Sequence, residues 1–138
     1  MATILAHITV REGAEREFEE IARGLFGASH AAEPGLVRYE YWRGEAPRTY
    51  YTLLSFVDFA AFIEHQASDH HEAASPAIGR LVEKLRLEWV DPVAGAAPMG
   101  ESRPMDLSGD QRELVRKYAR LFAVREAEWW DGVRTGAN

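Results

Sequence analysis

What most restricts the fold of this chain is the order in which its periodicities occur. Residues 4–10 alternate, with Ile4, Ala6, Ile8 and Val10 on one side and Leu5, His7 and Thr9 on the other, the period of a strand with one apolar face. After an Arg11-Glu12-Gly13 turn the period changes. Phe18, Ile21, Ala22, Leu25 and Phe26 recur at helical spacing within 14–32, and Glu33-Pro34-Gly35 ends that helix. Residues 36–43 and 48–56 read as two aromatic-rich strands joined by Gly44-Glu45-Ala46-Pro47, a hairpin pattern. Asp58 is placed to cap a helix that carries Phe59, Phe62 and Ile63 and ends near Ser68. A further helical piece, 69–84, has Pro76 and Gly79 as bending points, and strand 85–90 closes the series.

The order β-α-β-β-α-β predicts a ferredoxin-like α+β domain. Helices on one side of such a sheet leave its other side uncovered, and in so short a chain a second copy is the economical cover. Residues 94–105 shift to Ala, Gly, Pro and Ser and read as a linker. Beyond it, Ser108-Gly109-Asp110-Gln111 has capping-box spacing, and Leu114, Val115, Tyr118, Leu121, Phe122 and Trp129 mark one side of a last helix over 109–130. The expected organisation is a domain over 1–93, a linker over 94–105, and a C-terminal helix and tail over 106–138.

A net charge of −6 and the lack of any basic run argue against a nucleic-acid partner. The absence of cysteine removes disulfides, thiolate nucleophiles and cysteine-held metal clusters. No apolar stretch approaches the roughly 20 residues of a membrane helix. The chain opens on a strand and not on a signal-like segment, so a cytoplasmic location and no membrane partner are expected. No glycine-rich phosphate loop, nucleotide fingerprint or nucleophile elbow is present.

The segments ILAHITVREG (4–13), EPGLVRY (33–39) and LLSFVDFAAFIEHQASDHHEAASP (53–76) resemble the antibiotic biosynthesis monooxygenase domain. Its most specific element here is a strand running into Phe62-x-x-His65, with His70 five residues later. The resemblance extends over 1–93. It implies a dimeric α+β barrel, two ferredoxin-like sheets facing each other as a homodimer. It also implies one of several activities: cofactor-free oxygenation of aromatics, haem breakdown, or isomerisation of small molecules. The haem-degrading pattern of asparagine, tryptophan and axial histidine would fall near Ala6, His65 and Ser75, and none of these fits.

The densest group of chemically able side chains is Glu64-His65 followed by Asp69-His70-His71-Glu72. An imidazole exchanges a proton near neutral pH. His65 or His70 is therefore the expected general base. Counted from Phe59, His65 falls on the flank of the apolar face, where a pocket rim would be. Histidines five and six positions apart do not share a helix face unless the helix breaks at Ser68-Asp69, so no metal and no other cofactor is expected. His7, on the other side of the first strand, is expected to face a second copy or solvent. Tyr39, Trp42, Tyr51, Phe62 and His71 are the expected walls of a pocket for a small aromatic molecule. Tyr50 and Tyr51 cannot both enter it, because neighbours on a strand point to opposite faces. The leading functional expectation is a cofactor-independent monooxygenase for a phenol, quinol or anthrone. In it Tyr51 and Trp42 position the substrate, and the substrate anion itself reduces oxygen. The competing expectations are a small-molecule-binding or stress-response dimer without turnover, and an isomerase or lyase on the same scaffold.

Overall fold

The structure is a computed structural model that describes residues 1–97, 99–126 and 128. Its elements run β1 (Ala2–Val10), α1 (Glu15–Ala32), β2 (Leu36–Arg43), β3 (Thr49–Phe56), α2 (Phe59–Ala67), α3 (Asp69–Leu81), β4 (Val82–Trp89) and α4 (Glu113–Leu121). The four strands form one antiparallel sheet in the order β2-β3-β1-β4. This is the ferredoxin-like α+β arrangement that the order of periodicities predicts.

Strand register decides which residues share a face. Ile4 pairs with Leu54, Ala6 with Thr52 and Ile8 with Tyr50, and β2 brings Tyr39 and Tyr41 opposite Leu54 and Thr52. These side chains lie under the helices, where Phe18 and Leu25 of α1 and Phe59, Phe62 and Ile63 of α2 close the core. The other face presents Leu5, His7, Leu53, Tyr51, Glu40 and Trp42. On it Tyr51 and Trp42 are direct cross-strand neighbours, and His7 meets the Tyr51 ring edge-on at 5.5 Å. His7 also reaches Arg86 and Glu88 of β4, so it stands on the uncovered face as expected.

Two boundaries differ from the sequence expectation. The helix expected to reach Lys84 ends at Leu81, and β4 begins at Val82, not at residue 85. Leu81 is the last buried residue of the helix, and Val82 pairs with Val10 across a register shift. The exposed Glu83 and Lys84 of this edge strand imitate a charged helix end. The last helix is also shorter than 109–130. Asp106 accepts the Ser108 N–H and Asp110 accepts the Arg112 N–H, side-chain turns that hold this stretch out of a helix. The Ser108–Gln111 capping box therefore starts nothing. The helix begins at Glu113 and closes at Phe122, whose N–H bonds the Tyr118 carbonyl. Trp129 lies outside the described residues.

The stretch expected as a linker is tied to the sheet. Ser102 is fully buried, and its hydroxyl accepts the Thr3 N–H and donates to the Val90 carbonyl, where the β1–β4 ladder ends. The Arg103 N–H reaches the Met1 carbonyl. Beyond it α4 lies on α2, with Val115 buried in the core and Phe122 edge-on to Phe62 at 5.6 Å. Arg112 pairs with Glu64 at 2.9 Å, and the Tyr118 hydroxyl donates to Glu72 of α3. Deleting everything after Met105 would uncover Phe62 and Trp89 at about 25 cal/mol per Å². A thermal melt of that truncated chain is expected to show a Tm lower by more than about 5 °C.

Candidate active site

Three helix ends meet under β2. The first is the C-terminal cap of α1, where Glu33 leaves the helix in an extended conformation and its N–H bonds the Ser29 carbonyl. The second is the last turn of α2, which carries His65. The third is the first turn of α3, which carries His70 and His71. The break between α2 and α3 is built by Ser68. Its extended backbone ends one helix, its hydroxyl donates to the His65 carbonyl, and the same oxygen accepts the His71 N–H as the cap of the next helix. This break brings side chains five residues apart to one point.

That point is the Glu33 carboxylate. His65 Nδ1 lies 2.9 Å from Oε2 and 3.0 Å from Oε1, and His70 Nε2 lies 2.6 Å from Oε1. The Ser29 hydroxyl stands 3.5 Å from His65 Nδ1 and 3.2 Å from His70 Nε2. Burial works to raise the Glu33 pKa, but hydrogen bonding and charge from His65, with help from Ser29 and His70, hold it at about 2. His71, with its ring 5.0 Å from that of His65, is pushed down to about 4 by burial and then by His65, so it is neutral at pH 7. The nitrogens His65 Nε2 and His71 Nδ1 are buried without a hydrogen-bond partner among the described residues.

A tyrosine pair borders the cluster. The Tyr39 ring meets His65 edge-on at 5.1 Å, and the Tyr39 and Tyr41 hydroxyls are 2.5 Å apart. Burial pushes both phenols up, Tyr41 to about 12, so both keep their protons at neutral pH. Tyr41 in turn forms part of the wall of a groove of about 600 Å³ between α1 and the edge strand β2. Its apolar walls include Phe18, Phe26, Trp42 and Tyr50, and its charged rim is Glu19 with Arg43. Glu19 holds Arg43 at 2.7 Å and accepts from the Tyr50 hydroxyl at 3.1 Å.

The structure thus gathers His65, His70, His71 and Tyr39 and separates the other expected site residues from them. His65 is not on a rim: it is completely buried. A helical wheel registers only the sheet beneath α2, and here the end of α1 and the start of α3 fold over the flank. Phe62 is core, packed on Phe56, Trp89 and Phe122. Tyr51 is on the far face of the sheet, so within one chain it does not share a pocket with His65. Tyr50 takes the groove position instead, and Trp42 borders the groove from the sheet edge. Sequence reasoning missed Glu33, which it used only as a helix stop. A carboxylate at a helix C-terminus opposes the helix dipole, and that misplacement was the available signal.

The four-stranded sheet with its helices on one face defines a ferredoxin-like α+β domain. The profile of the family described as antibiotic biosynthesis monooxygenase matches residues 1–77, and the chain belongs to that family. Among curated proteins no sequence matches it. A Shewanella oneidensis structure is 27% identical, with a TM-score of 0.60 over 64% of this chain and 87% of its own. A Caulobacter crescentus structure bearing the family's description is 25% identical, with a TM-score of 0.63 over 67% and 90%. A Pseudomonas aeruginosa structure shares the fold at 24% identity and a TM-score of 0.62, over 67% and 94%. These structures are matched over nearly their whole length, and a third of this chain lies beyond each match. Among the described residues no helix is long and apolar enough to cross a membrane.

The geometry of the cluster depends on how closely Glu33 approaches α2, and Gly35 sets that distance. A Cβ there would stand 2.5 Å from the Ala61 Cβ. Gly35→Val is therefore expected to push the turn off α2 and to cost roughly 1–3 kcal/mol in urea unfolding. Glu33→Gln removes the charge at nearly constant size. The depressed Glu33 pKa means that its contribution to stability is complete above the ordinary value of 4.5 and is lost as pH falls toward about 2. Acid titration followed by circular dichroism is expected to show wild type losing stability over that window, with Glu33→Gln less stable at pH 7 and flatter below it.

Proposed function

We propose that this protein is a cofactor-independent monooxygenase of small electron-rich aromatic molecules, and that it works as a homodimer. Family membership supports the general class. The observation that carries the finer reading is the Glu33–His65–His70 cluster, with the Tyr39 ring edge-on to His65 and the Tyr39 hydroxyl on that of Tyr41, which walls an aromatic groove. A groove of about 600 Å³ suits a molecule of two or three fused rings.

In this reading the substrate lies against Phe18, Phe26 and Tyr50 with its phenolic or enolic oxygen at the Tyr41 hydroxyl. A tyrosine pair with raised pKa values is a poor base but a good relay, since each hydroxyl accepts one proton while giving up another. The nearest base beyond the pair is the imidazole of His65, whose ring packs on Tyr39, and transfer to it requires the Tyr39 hydroxyl to turn from Tyr41 toward that ring. His65 is sealed in and keeps Glu33 in place, whereas His70 is partly open and hands the proton to solvent. The substrate anion, held away from bulk water, reduces oxygen directly. For an anthrone-type methylene the balance is one O₂ consumed, one C=O formed and one water released. A second copy covering the Tyr51–Trp42–His7 face would complete the barrel expected of the family. That face carries Trp42 and Tyr51 substantially exposed, a surface suited to burial against a partner.

Oxygen-electrode assays with a panel of anthrones, quinols and phenols test the chemistry. Turnover is expected with at least one of them, and His70→Ala should lower it by roughly 10²–10⁴-fold while the fold is kept. Tyr41→Phe should lower it through the relay. Ligand-induced rises in Tm without oxygen uptake would instead identify a binding protein. Light scattering is expected to give twice the mass of the chain, and a monomer would overturn the dimer.

A further inference from the structure

We propose that Glu33, His65 and His70 form a binding site for one divalent first-row transition-metal ion of the zinc, cobalt or ferrous class. This goes beyond the oxygenase reading and draws on the same three side chains: an ion held there would take the place of the proton route through His70, so the two are tested separately. Sequence spacing argued against a metal because positions 65 and 70 lie on different faces of a continuous helix. The Ser68 break removes that objection. His65 Nδ1, His70 Nε2 and a Glu33 oxygen all lie within 4.8 Å of one another.

The separations suit an ion. Metal–nitrogen and metal–oxygen bonds of about 2.0–2.2 Å around one centre put neighbouring ligand atoms roughly 3 Å apart or slightly more. Here the carboxylate stands 2.9 Å from His65 Nδ1 and 2.6 Å from His70 Nε2. The two imidazole nitrogens lie within 4.8 Å of each other and on the same carboxylate, so an ion bound between them would draw the three side chains onto one centre. Two imidazoles and one carboxylate make a nitrogen-rich set that favours transition metals over magnesium and calcium, which prefer oxygen. Three protein ligands leave a position open, and the Ser29 hydroxyl already faces both coordinating nitrogens.

Charge points the same way. Glu33 is largely buried, and its ion-pair partners among the described residues are the two imidazoles, with no lysine or arginine. Buried charges are paired or coordinate metals. The ligands come from capped ends of three separate helices, so the frame is largely set before the ion arrives. His71, beside them, is neutral and has no role in the set.

The test is titration of the chelator-treated full chain, free of any polyhistidine tag, with Co²⁺ alone at pH 7.5, followed by visible absorption and by calorimetry. One equivalent is expected to bind, with a ligand-field band in the visible, and Zn²⁺ should displace it. His70→Ala, at a partly open position, and Glu33→Gln should each weaken binding by at least about 100-fold. His30→Ala, at the exposed end of α1, should leave it unchanged. Circular dichroism of each variant separates ligand loss from unfolding. The proposal is overturned if wild type binds no Co²⁺ at near-millimolar concentration. It is equally overturned if folded His70→Ala binds as wild type does, or if His30→Ala abolishes binding. None of these readouts uses a substrate, so failure to find turnover leaves the result intact. Conversely, oxygen uptake by metal-free protein with no Co²⁺ binding would refute this site and keep the oxygenase reading.

Discussion

A carboxylate that is largely removed from water must be satisfied on the spot, and in this protein that requirement organises everything beneath β2. Glu33 sits where a helix dipole disfavours it, at the C-terminal cap of α1. It stays there because two imidazoles and a serine hydroxyl converge on its oxygens. Bringing them together demands that α2 stop and α3 start within one residue, which Ser68 accomplishes with both ends of its hydrogen-bonding capacity. It demands as well that the turn after Glu33 press against α2, which only a residue without a side chain permits. Helix ends, break and turn are thus parts of one arrangement, drawn together from positions 29 to 71.

The sheet divides the chemistry of its aromatic residues. Neighbours on β2 and β3 have similar side chains but opposite fates: Tyr50 faces the groove and Tyr51 the uncovered side, while Tyr41 faces inward and Trp42 wraps the edge. The inward tyrosines link an apolar groove to a polar cluster. The outward Tyr51 and Trp42 form an exposed patch with His7. One hairpin thereby serves two surfaces of different character.

Much of this was legible in the sequence where a pattern is local and one-sided. The alternation of Ile4, Ala6, Ile8 and Val10 gave β1 its inward face correctly, β2 matched to the residue, and Asp58 caps α2 through the Ala61 N–H as expected. The failures arose where a third element intervenes. His65 reads as a flank residue on an isolated helix and is sealed only because α1 and α3 close over it. Glu83 and Lys84 carry no hydrophobic signal that separates a charged helix end from an edge strand. The Ser108–Gln111 box had the right spacing, but Asp106 and Asp110 offered the backbone a competing set of hydrogen bonds. Glu33 was invisible as a site residue because its partners lie more than 30 positions away. The histidines were found because imidazoles are scarce and stood close together.

The position of β1 has a consequence for how the chain is made. It is synthesised before the other strands of the sheet, yet it lies between β3 and β4, and its first residues are held by Ser102, 99 positions later. Hydrogen bonds on its two edges therefore become available at widely separated times during synthesis. The β2–β3 hairpin and the three helix ends around Glu33 can assemble while the C-terminal third is still being translated. β1 meanwhile has one edge open and resembles an unpaired sheet margin, the kind of surface that recruits foreign strands. The interval lasts for as long as residues 57–81 take to be made, since they separate β3 from the strand that covers the second edge of β1.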